Sequence, residues 1–314
     1  MPSLKSPRKG SLQYWPRKRA SKFLPSVNWS VVNSGKTLQG FIGYKAGMVS
    51  VCVKDNSADS MTKGKKIIVP ATIVECPPMK VLSVRFYKNG IVATETLSEH
   101  LDKELKRKIK LPKQHKKFSE IKTGDYDDLR LIVYSEPRKA EIKKTPDISE
   151  MAIAGSYEDK VNFAKEKLGK EILVSEIFEK GQLVDIRGLT KGKGLVGPVK
   201  RYGLTLKQHK SEKGQRRPGS LGPWHPARVT FRAPLAGQLG MFTRVIYNNK
   251  IIEMGKTHDD KNLKAIKNYG DIKSDYVIIE GSVQGAAKRQ ILLTAPFRET
   301  KWQKKKNYEF VELR

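Results

Sequence analysis

The chain has 314 residues, 38% of them hydrophobic, and carries 62 Lys and Arg against 32 Asp and Glu, a formal net charge of +30. That length predicts about two compact units with a sizeable core. Because Lys and Arg outnumber Asp and Glu about two to one, a surface of balanced ion pairs is excluded. Self-repulsion on this scale indicates a polyanionic partner, and nucleic acid fits best because bound phosphates release counterions.

Residue type and spacing exclude two further kinds of protein. Cys52 and Cys76 form no CxxC pair and have no histidine cluster nearby, so we expect no metal site and predict two reduced core thiols. No run approaches the roughly 20 apolar residues of a membrane helix, and no apolar stretch typical of a signal peptide follows the first basic residues. We expect a soluble, cytoplasmic protein without a cofactor.

A basic arm is predicted over residues 1–35. Its first 22 residues hold seven Lys and Arg, three prolines and no acid, without helix or strand periodicity. Such a segment cannot bury enough apolar surface to offset the entropy of ordering its backbone. Tyr14 and Trp15 are candidates for stacking on bases or for ordinary packing, and the sequence leaves both open.

Short strands follow, and residues 36–94 are predicted as the first part of a β barrel. The expected strands are Thr37–Gly47, Met48–Lys54, Lys66–Glu75, Val81–Tyr87 and Ile91–Thr96. Pro70 interrupts the third strand, and Asn89-Gly90 between the last two is a strong hairpin signal.

Residues 95–170 are predicted to be an inserted α/β domain. Residues 95–185 hold 19 basic and 19 acidic side chains, so this stretch is neutral and the rest of the chain supplies the whole surplus. Ser156 and Asp159 resemble a capping box. The predicted elements are helices over Ser98–Lys108 and Ser156–Leu168 and a strand over Leu129–Tyr134.

The barrel is expected to resume over residues 171–186 and 241–295, with a basic tail over 296–314. The predicted strands are Ile172–Val174, Leu183–Leu189, Thr243–Tyr247, Ile251–Met254, Tyr276–Ile279 and Gln290–Thr294. Many short strands at close spacing are typical of an antiparallel barrel or sandwich.

A basic, Gly- and Pro-rich extension is predicted over residues 187–240. Residues 187–232 hold twelve Lys and Arg and one acid, Glu212. We expect this segment to order on a polyanion, as arginine-rich segments do on RNA. A disordered linker is the alternative, although linkers seldom mix Trp, His, Phe and Arg.

Residues 192–197 match the GxGxxG pattern of dinucleotide sites. That site needs a helix beginning there to direct its amides at a pyrophosphate, and with Pro198 and Gly203 following we expect none. Glycines alternating with lysines are instead typical of backbone that approaches sugar–phosphate closely.

Catalytic patterns are weak throughout the chain. The five histidines are scattered, there is no GxSxG elbow, and Glu212 is the only carboxylate beside the basic extension, whereas a nuclease needs carboxylates for metal beside its groove. We predict a protein that is not an enzyme. An RNA-modifying or RNA-processing enzyme with a basic groove is the alternative, and a DNA-binding regulator is disfavoured because no helix-turn-helix is recognisable.

The segment Arg216–Arg232 is the most informative. It sets one large aromatic residue, Trp224, among arginines in a Gly and Pro frame, as stacking on an unpaired base with phosphate clamping requires. The alternative is an ordinary core tryptophan. Its neighbours are Pro, Gly, His and Arg, not aliphatic residues, which favours contact at a loop tip.

Six segments, in order along the chain, resemble large-subunit ribosomal protein three, a universal family, in its archaeal and eukaryotic form. They are Pro7–Leu12, Pro16–Ala20, Gly40–Met48, Val184–Gly203, Gly222–Arg228 and Ala236–Gly240. The resemblance implies a mainly β fold: a six-stranded barrel of the translation-factor type, an inserted α/β domain and two long basic extensions that penetrate rRNA.

The same resemblance implies a structural role in the large ribosomal subunit. Trp224 matches a tryptophan near the tip of the central extension that points toward the peptidyl transferase region, and the N-terminal arm lies close by, where it helps shape the path of incoming aminoacyl-tRNA. The family also acts early in subunit assembly. Eukaryotic members have a modifiable histidine where this chain has Glu212, with His209 offset, so no modification is expected.

The expected partners are large-subunit rRNA and neighbouring large-subunit proteins, with no membrane, small-molecule substrate or second copy of the chain. The predicted RNA-binding residues lie in the arm and the extension: Arg8, Lys9, Trp15, Arg17, Lys18, Arg19, Lys191, Lys193, Lys200, Arg201, His209, Lys210, Lys213, Arg216, Arg217, Trp224, His225, Arg228 and Arg232. No catalytic or metal-binding residue is predicted.

Overall fold

A computed structural model describes residues 10–11, 13–32, 37–112, 118–121, 123–210, 214–256 and 263–314. The chain divides into two compact units. Unit 1 comprises Met1–Phe23 and Leu189–Arg244, and unit 2 comprises Leu24–Gly188 and Val245–Arg314.

Strands predominate among the regular elements of the described residues. They are β1 (Gly40–Asp55), β2 (Lys66–Glu75), β3 (Met79–Lys88), β4 (Ile91–Leu97), β5 (Asp128–Ser135), β6 (Ile148–Ala152), β7 (Glu171–Ile172), β8 (Leu183–Leu189), β9 (Leu195–Val196), β10 (Gly237–Gln238), β11 (Thr243–Gly255), β12 (Tyr276–Glu280), β13 (Gln290–Thr294) and β14 (Tyr308–Leu313). The α-helices are α1 (Tyr157–Lys167), α2 (Pro198–Tyr202) and α3 (Lys301–Lys305).

The larger sheet of unit 2 has the order β13-β8-β11-β12-β2-β1-β14. β13 also pairs antiparallel with β1, with Gly40 opposite Thr294, so the hydrogen bonds run in a closed ring through six strands. β1 reaches three partners because it is 16 residues long and its register shifts between Lys45 and Gly47. The two strands predicted over Thr37–Lys54 are therefore one.

Pro70 lies inside β2 without breaking it. It pairs with Ser50 of β1, and the pairing of β2 with β12 begins only at the next residue, Ala71 opposite Glu280. The missing N–H of Pro70 is tolerated because this position lies beyond the β12 ladder, as at a sheet edge.

The second sheet of unit 2 has the order β4-β3-β5-β6, with β7 also on β3. The predicted hairpin is present, with Asn89 (φ 51°) and Gly90 (φ 75°) between β3 and β4. Ser156 and Asp159 form the predicted capping box of α1. This sheet already begins at Met79, and the bounds 95–170 for the insertion stay a prediction.

The helix expected over Ser98–Lys108 is wrong, because only a short 3-10 helix, Lys103–Arg107, forms there. The preceding backbone continues the sheet, with the Ser98 amide donating to the Leu82 carbonyl at 2.9 Å. Asp102, at the N-cap position, accepts from the Tyr134 hydroxyl at 2.6 Å instead of capping a helix. Tertiary contacts here outweigh the apolar spacing.

Two further sequence expectations need correction. Asn248 and Asn249 do not separate two strands, because β11 continues through them while Asp185 accepts from the Asn248 amide at 2.8 Å. The tail over 296–314 contains α3 and β14, and β14 pairs with the last five residues of β1.

One buried cluster joins both sheets of unit 2. It includes Phe41 of β1, Val84 of β3, Leu131 of β5 and Leu293 of β13. Cys52 and Cys76 are buried and unbridged, as predicted, and burial raises the pKa of the Cys76 thiol.

Charges on the second sheet neutralise one another. Glu150 accepts from Arg85 at 3.1 Å and from Arg130 at 3.0 Å, and Lys80 pairs with Glu136 at 2.8 Å. Of these three ion pairs, only Arg130–Glu150 joins two residues of the neutral stretch 95–185, because Lys80 and Arg85 precede it.

Candidate nucleic-acid interface

Unit 1 concentrates the positive charge of the chain. It holds 19 Lys and Arg and one carboxylate, Glu212, which lies outside the described residues. About a quarter of the chain thus carries +18 of the net +30. Unit 1 cannot neutralise its own cations, and a charge surplus of this size favours a polyanionic partner.

The extension is built on a two-stranded stem. β9 and β10 pair antiparallel, the Lys193 amide donates to the Leu239 carbonyl at 2.9 Å, and the Thr190 amide donates to the Phe242 carbonyl at 3.0 Å. Gly240 has φ +77°, and a Cβ added at this position would collide with the backbone carbonyl of Lys191. The stem therefore requires a glycine here. Close backbone packing inside unit 1 explains the glycine at this position.

The GxGxxG segment lies in the same stem. A Cβ at Gly192 would come 2.9 Å from Cγ of Met241, so this glycine serves internal packing. The expectation of no helix after this segment is wrong, since α2 begins at Pro198. Pro198 presets the first helical turn, and Gly203, with φ +65°, ends the helix after five residues.

The N-terminal arm and the extension meet at Tyr202, which is buried. The guanidinium of Arg17 lies 4.7 Å from the centre of its ring and that of Arg201 lies 5.4 Å from it. Arg201 also donates to the carbonyls of Gln238 at 3.1 Å and Leu235 at 3.0 Å. Two predicted phosphate ligands, Arg17 and Arg201, are thus held by contacts inside unit 1.

A second contact between arm and extension is aromatic. The rings of Trp15 and Phe231 lie 4.9 Å apart, and Trp15 remains 59% exposed. Arg244 covers the ring of Tyr14 at 4.1 Å. Sequence reasoning missed Phe231, Arg244 and Tyr202, although the alternation of aromatic residues with arginines was a signal of such pairs.

Trp224 is 88% exposed. The alternative of a core tryptophan is therefore wrong. The loop before it is turned by Ser220, whose hydroxyl donates to the Gly222 carbonyl at 3.1 Å and accepts from the Gly222 amide at 3.4 Å. An indole with this exposure can stack on an unpaired base without any rearrangement of the core.

Most other predicted RNA-binding residues are exposed on unit 1. They are Lys18, Arg19, Lys191, Lys193, Lys200, His209, Lys210, Arg216, Arg217, His225, Arg228 and Arg232. Arg8, Lys9 and Lys213 lie outside the described residues.

Two features are absent from the described part of the chain. Among those residues no group of three or more His, Cys, Asp or Glu could hold a metal ion. No helix found there is long and apolar enough to cross a membrane.

Residues 1–313 match the family described as Ribosomal protein L3. The chain belongs to this family. Curated relatives named "Large ribosomal subunit protein uL3" include those of Picrophilus torridus, 41% identical over 94% of this chain and 92% of the relative, and Archaeoglobus fulgidus, 40% identical over 94% and 93%. The relative from Methanocaldococcus jannaschii is 38% identical over 94% and 92%.

Family membership confirms two of the sequence predictions. The resemblance to large-subunit ribosomal protein three was correct, and Ribosomal protein L3 members are structural ribosomal proteins and not enzymes. The alternative of an RNA-processing enzyme receives no support from the family.

Proposed function

We propose that this protein is an integral structural component of the large ribosomal subunit and that unit 1 is its principal rRNA-binding surface. The observation that carries the proposal is the charge of unit 1, 19 cations against one carboxylate, beside an exposed Trp224. Phosphates would neutralise the exposed Lys and Arg side chains, and an unpaired base would stack on the indole.

The contacts within unit 1 also support different roles for different basic residues. Arg17 and Arg201 position the arm and the stem around Tyr202. The exposed pair Arg216 and Arg217 is available for phosphates. The relatives' name supports a place in the large subunit. The resemblance of Trp224 to the tip tryptophan of the family implies a location near the peptidyl transferase region, and the family resemblance alone implies a role in early subunit assembly.

The architecture of unit 2 fits the same proposal. Its closed hydrogen-bond ring of six strands supports a six-stranded barrel of the translation-factor type as the body of the protein. Neighbouring large-subunit proteins would contact unit 2, and a chain held in assembled large subunits would be cytoplasmic.

The test is sedimentation of the native protein from cell lysate through a sucrose gradient, before and after a high-salt wash and after nuclease digestion. We expect co-migration with large subunits that survives the wash and is lost after extensive nuclease digestion. Migration at the top of the gradient without nuclease, or release at modest salt, would contradict an integral structural role.

A second measurement addresses assembly. If the chain joins early, pulse-labelled precursor particles of the large subunit will already contain it in full stoichiometric amount. Its presence only in mature subunits would remove the assembly role and leave the structural one.

A further inference from the structure

Unit 2 carries an exposed aromatic surface near the end of the chain. Trp302 of α3 is 68% exposed, and Phe297, just before the helix, is 51% exposed. We name residues 297–306 together with the loop 57–66 the α3 surface. The sequence predicts a basic tail over residues 296–314 and no binding residue within it.

Two lysines, Lys306 and Lys250, contact Trp302 or the helix that carries it. The Lys306 ammonium lies 4.5 Å from the centre of its ring and pairs with Glu280 at 2.7 Å, with both side chains less than one-fifth exposed. Lys250, which is buried, donates to the backbone carbonyls of Gln303 at 3.4 Å and Lys304 at 3.3 Å. Lys306 therefore contacts the ring of Trp302 directly, and Lys250 holds the backbone of the helix that carries it. A tryptophan positioned in this way is preorganised and loses little freedom when it stacks.

A cavity of about 430 Å³ opens beside Trp302. Its walls include Tyr308 and Ile67, together with the loop that Asp55 anchors. The Asp55 carboxylate accepts from the hydroxyls of Ser60 and Thr62, both at 2.6 Å. The volume lies within the range of small-ligand sites, roughly 300–1,000 Å³.

The α3 surface carries a net positive charge, and some of its basic side chains form no ion pair among the described residues. Lys305 pairs with Asp59 at 3.3 Å and Lys304 with Glu299 at 2.7 Å. Five further cations are exposed and form no ion pair among the described residues: Lys63, Lys65, Lys66, Arg298 and Lys301. The surface therefore combines a fixed aromatic ring, a cavity and uncompensated positive charge.

We propose that the α3 surface is a second RNA-binding site, which holds an unpaired nucleotide with its base against Trp302 and its flanking phosphates on Arg298 and Lys301. The inference rests on the proposed function for the class of partner and adds a site on the other unit. A protein partner fits less well, because the centre of a protein interface is depleted in lysine and this aromatic ring is surrounded by lysines. Base stacking with cation contacts is the usual mode of single-strand binding.

The experiment uses the full-length chain with Trp224, Arg216 and Arg217 all changed to Ala, so that binding through unit 1 is weakened. Its affinity for a single-stranded 12-nucleotide RNA containing 4-thiouridine is measured over a series of salt concentrations. Adding Trp302→Ala should weaken binding roughly 5–150-fold with an unchanged salt slope. Adding Arg298→Gln with Lys301→Gln should reduce the slope by about 1.4.

Two variants act as controls. Trp302→Phe keeps an aromatic ring and should retain most of the affinity. Ile91→Ala, at a residue 73% exposed on β4, should leave affinity and slope unchanged. Photocrosslinks from 4-thiouridine should map to residues 297–306.

The outcomes separate the two proposals. If the unchanged chain binds rRNA but Trp302→Ala has no effect and no crosslink falls on the α3 surface, this inference is overturned and the proposed function stands. If the unchanged chain binds no RNA, both are overturned. If Trp302 in purified large subunits crosslinks to a protein and not to RNA, the surface is a protein-docking site and the inference is again overturned.

Discussion

At the scale of single residues, unit 1 provides an aromatic ring for stacking and positive charge for phosphates from different side chains. Trp224 offers a ring without a charge of its own, whereas Arg216 and Arg217 offer charge at the surface. Because counterion release depends on the number of phosphates neutralised, only the second kind of contact sets the salt dependence of binding.

The first prediction follows from this separation. Trp224→Ala should weaken rRNA binding by roughly 1–3 kcal/mol with nearly the same salt slope. Arg216→Ala with Arg217→Ala should reduce the slope by about 1.4–1.8. Filter binding of an rRNA fragment across a salt series measures both, and a slope that changes with Trp224 but not with the arginines would contradict these roles.

The second prediction concerns Asp55. Hydrogen bonds from Ser57, Ser60 and Thr62 hold the pKa of its carboxyl well below the usual range. Since the folded pKa is lowered, the stabilisation is complete above the ordinary pKa of about 4 and is lost as the pH falls below it toward the folded value.

Unfolding by urea at a series of pH values, for the unchanged chain and Asp55→Asn, tests this. We expect Asp55→Asn to be less stable near pH 7, with the difference narrowing below pH 4. A difference that stays constant across the series would mean that the carboxylate does not titrate as its contacts imply.

At the scale of elements, the stem of unit 1 depends on backbone packing more than on side chains. Gly240 has a positive φ, and a Cβ added there would meet the Lys191 carbonyl. Gly194 has φ +64°, and a Cβ added there would enter open space. The two glycines therefore share the conformational requirement and differ in steric contact.

The third prediction uses this matched pair. Gly194→Ala should cost roughly 1–2 kcal/mol from left-handed backbone alone, and Gly240→Ala should cost more because the Lys191 carbonyl must move. Hydrogen exchange at the amides of Thr190, Lys193 and Leu239 reports the opening of the stem. Equal effects of the two substitutions would show that the close approach does not constrain the stem.

At the scale of the whole molecule, the two units are stabilised by different kinds of interaction. Unit 2 shares one apolar cluster between its two sheets, whereas unit 1 relies on a short stem, cation–aromatic pairs and Gly or Pro turns. Burial of apolar side chains is the dominant favourable term in folding, so unit 2 should resist unfolding independently of RNA.

The fourth prediction tests the shared cluster. Leu131→Ala removes a fully buried side chain and should destabilise unit 2 by about 2–5 kcal/mol, with amides of both sheets losing protection together. Leu105→Ala, equally buried but in a separate cluster with Leu82 and Tyr134, is the control and should affect the second sheet first. Loss confined to the second sheet after Leu131→Ala would contradict the common core.

Local signals in the sequence were sufficient for much of unit 2. The Asn89-Gly90 hairpin and the Ser156 capping box depend on residues close in sequence, and both were predicted. The inward position of Arg17 could not be predicted, because its partner Tyr202 is 185 residues away and no periodicity connects them. β14 was missed because its pairing with β1 also depends on distant sequence.

The closed ring of unit 2 constrains the order of events during synthesis of the chain. Gly40 of β1 pairs with Thr294 of β13, so the ring cannot close until some 250 residues after its first strand have been made. At roughly 5–20 residues per second this interval lasts about 12–50 s. The basic extension, residues 187–240, emerges within that interval. A nascent chain can thus present its most cationic segment while the strand edges of unit 2 are still unpaired.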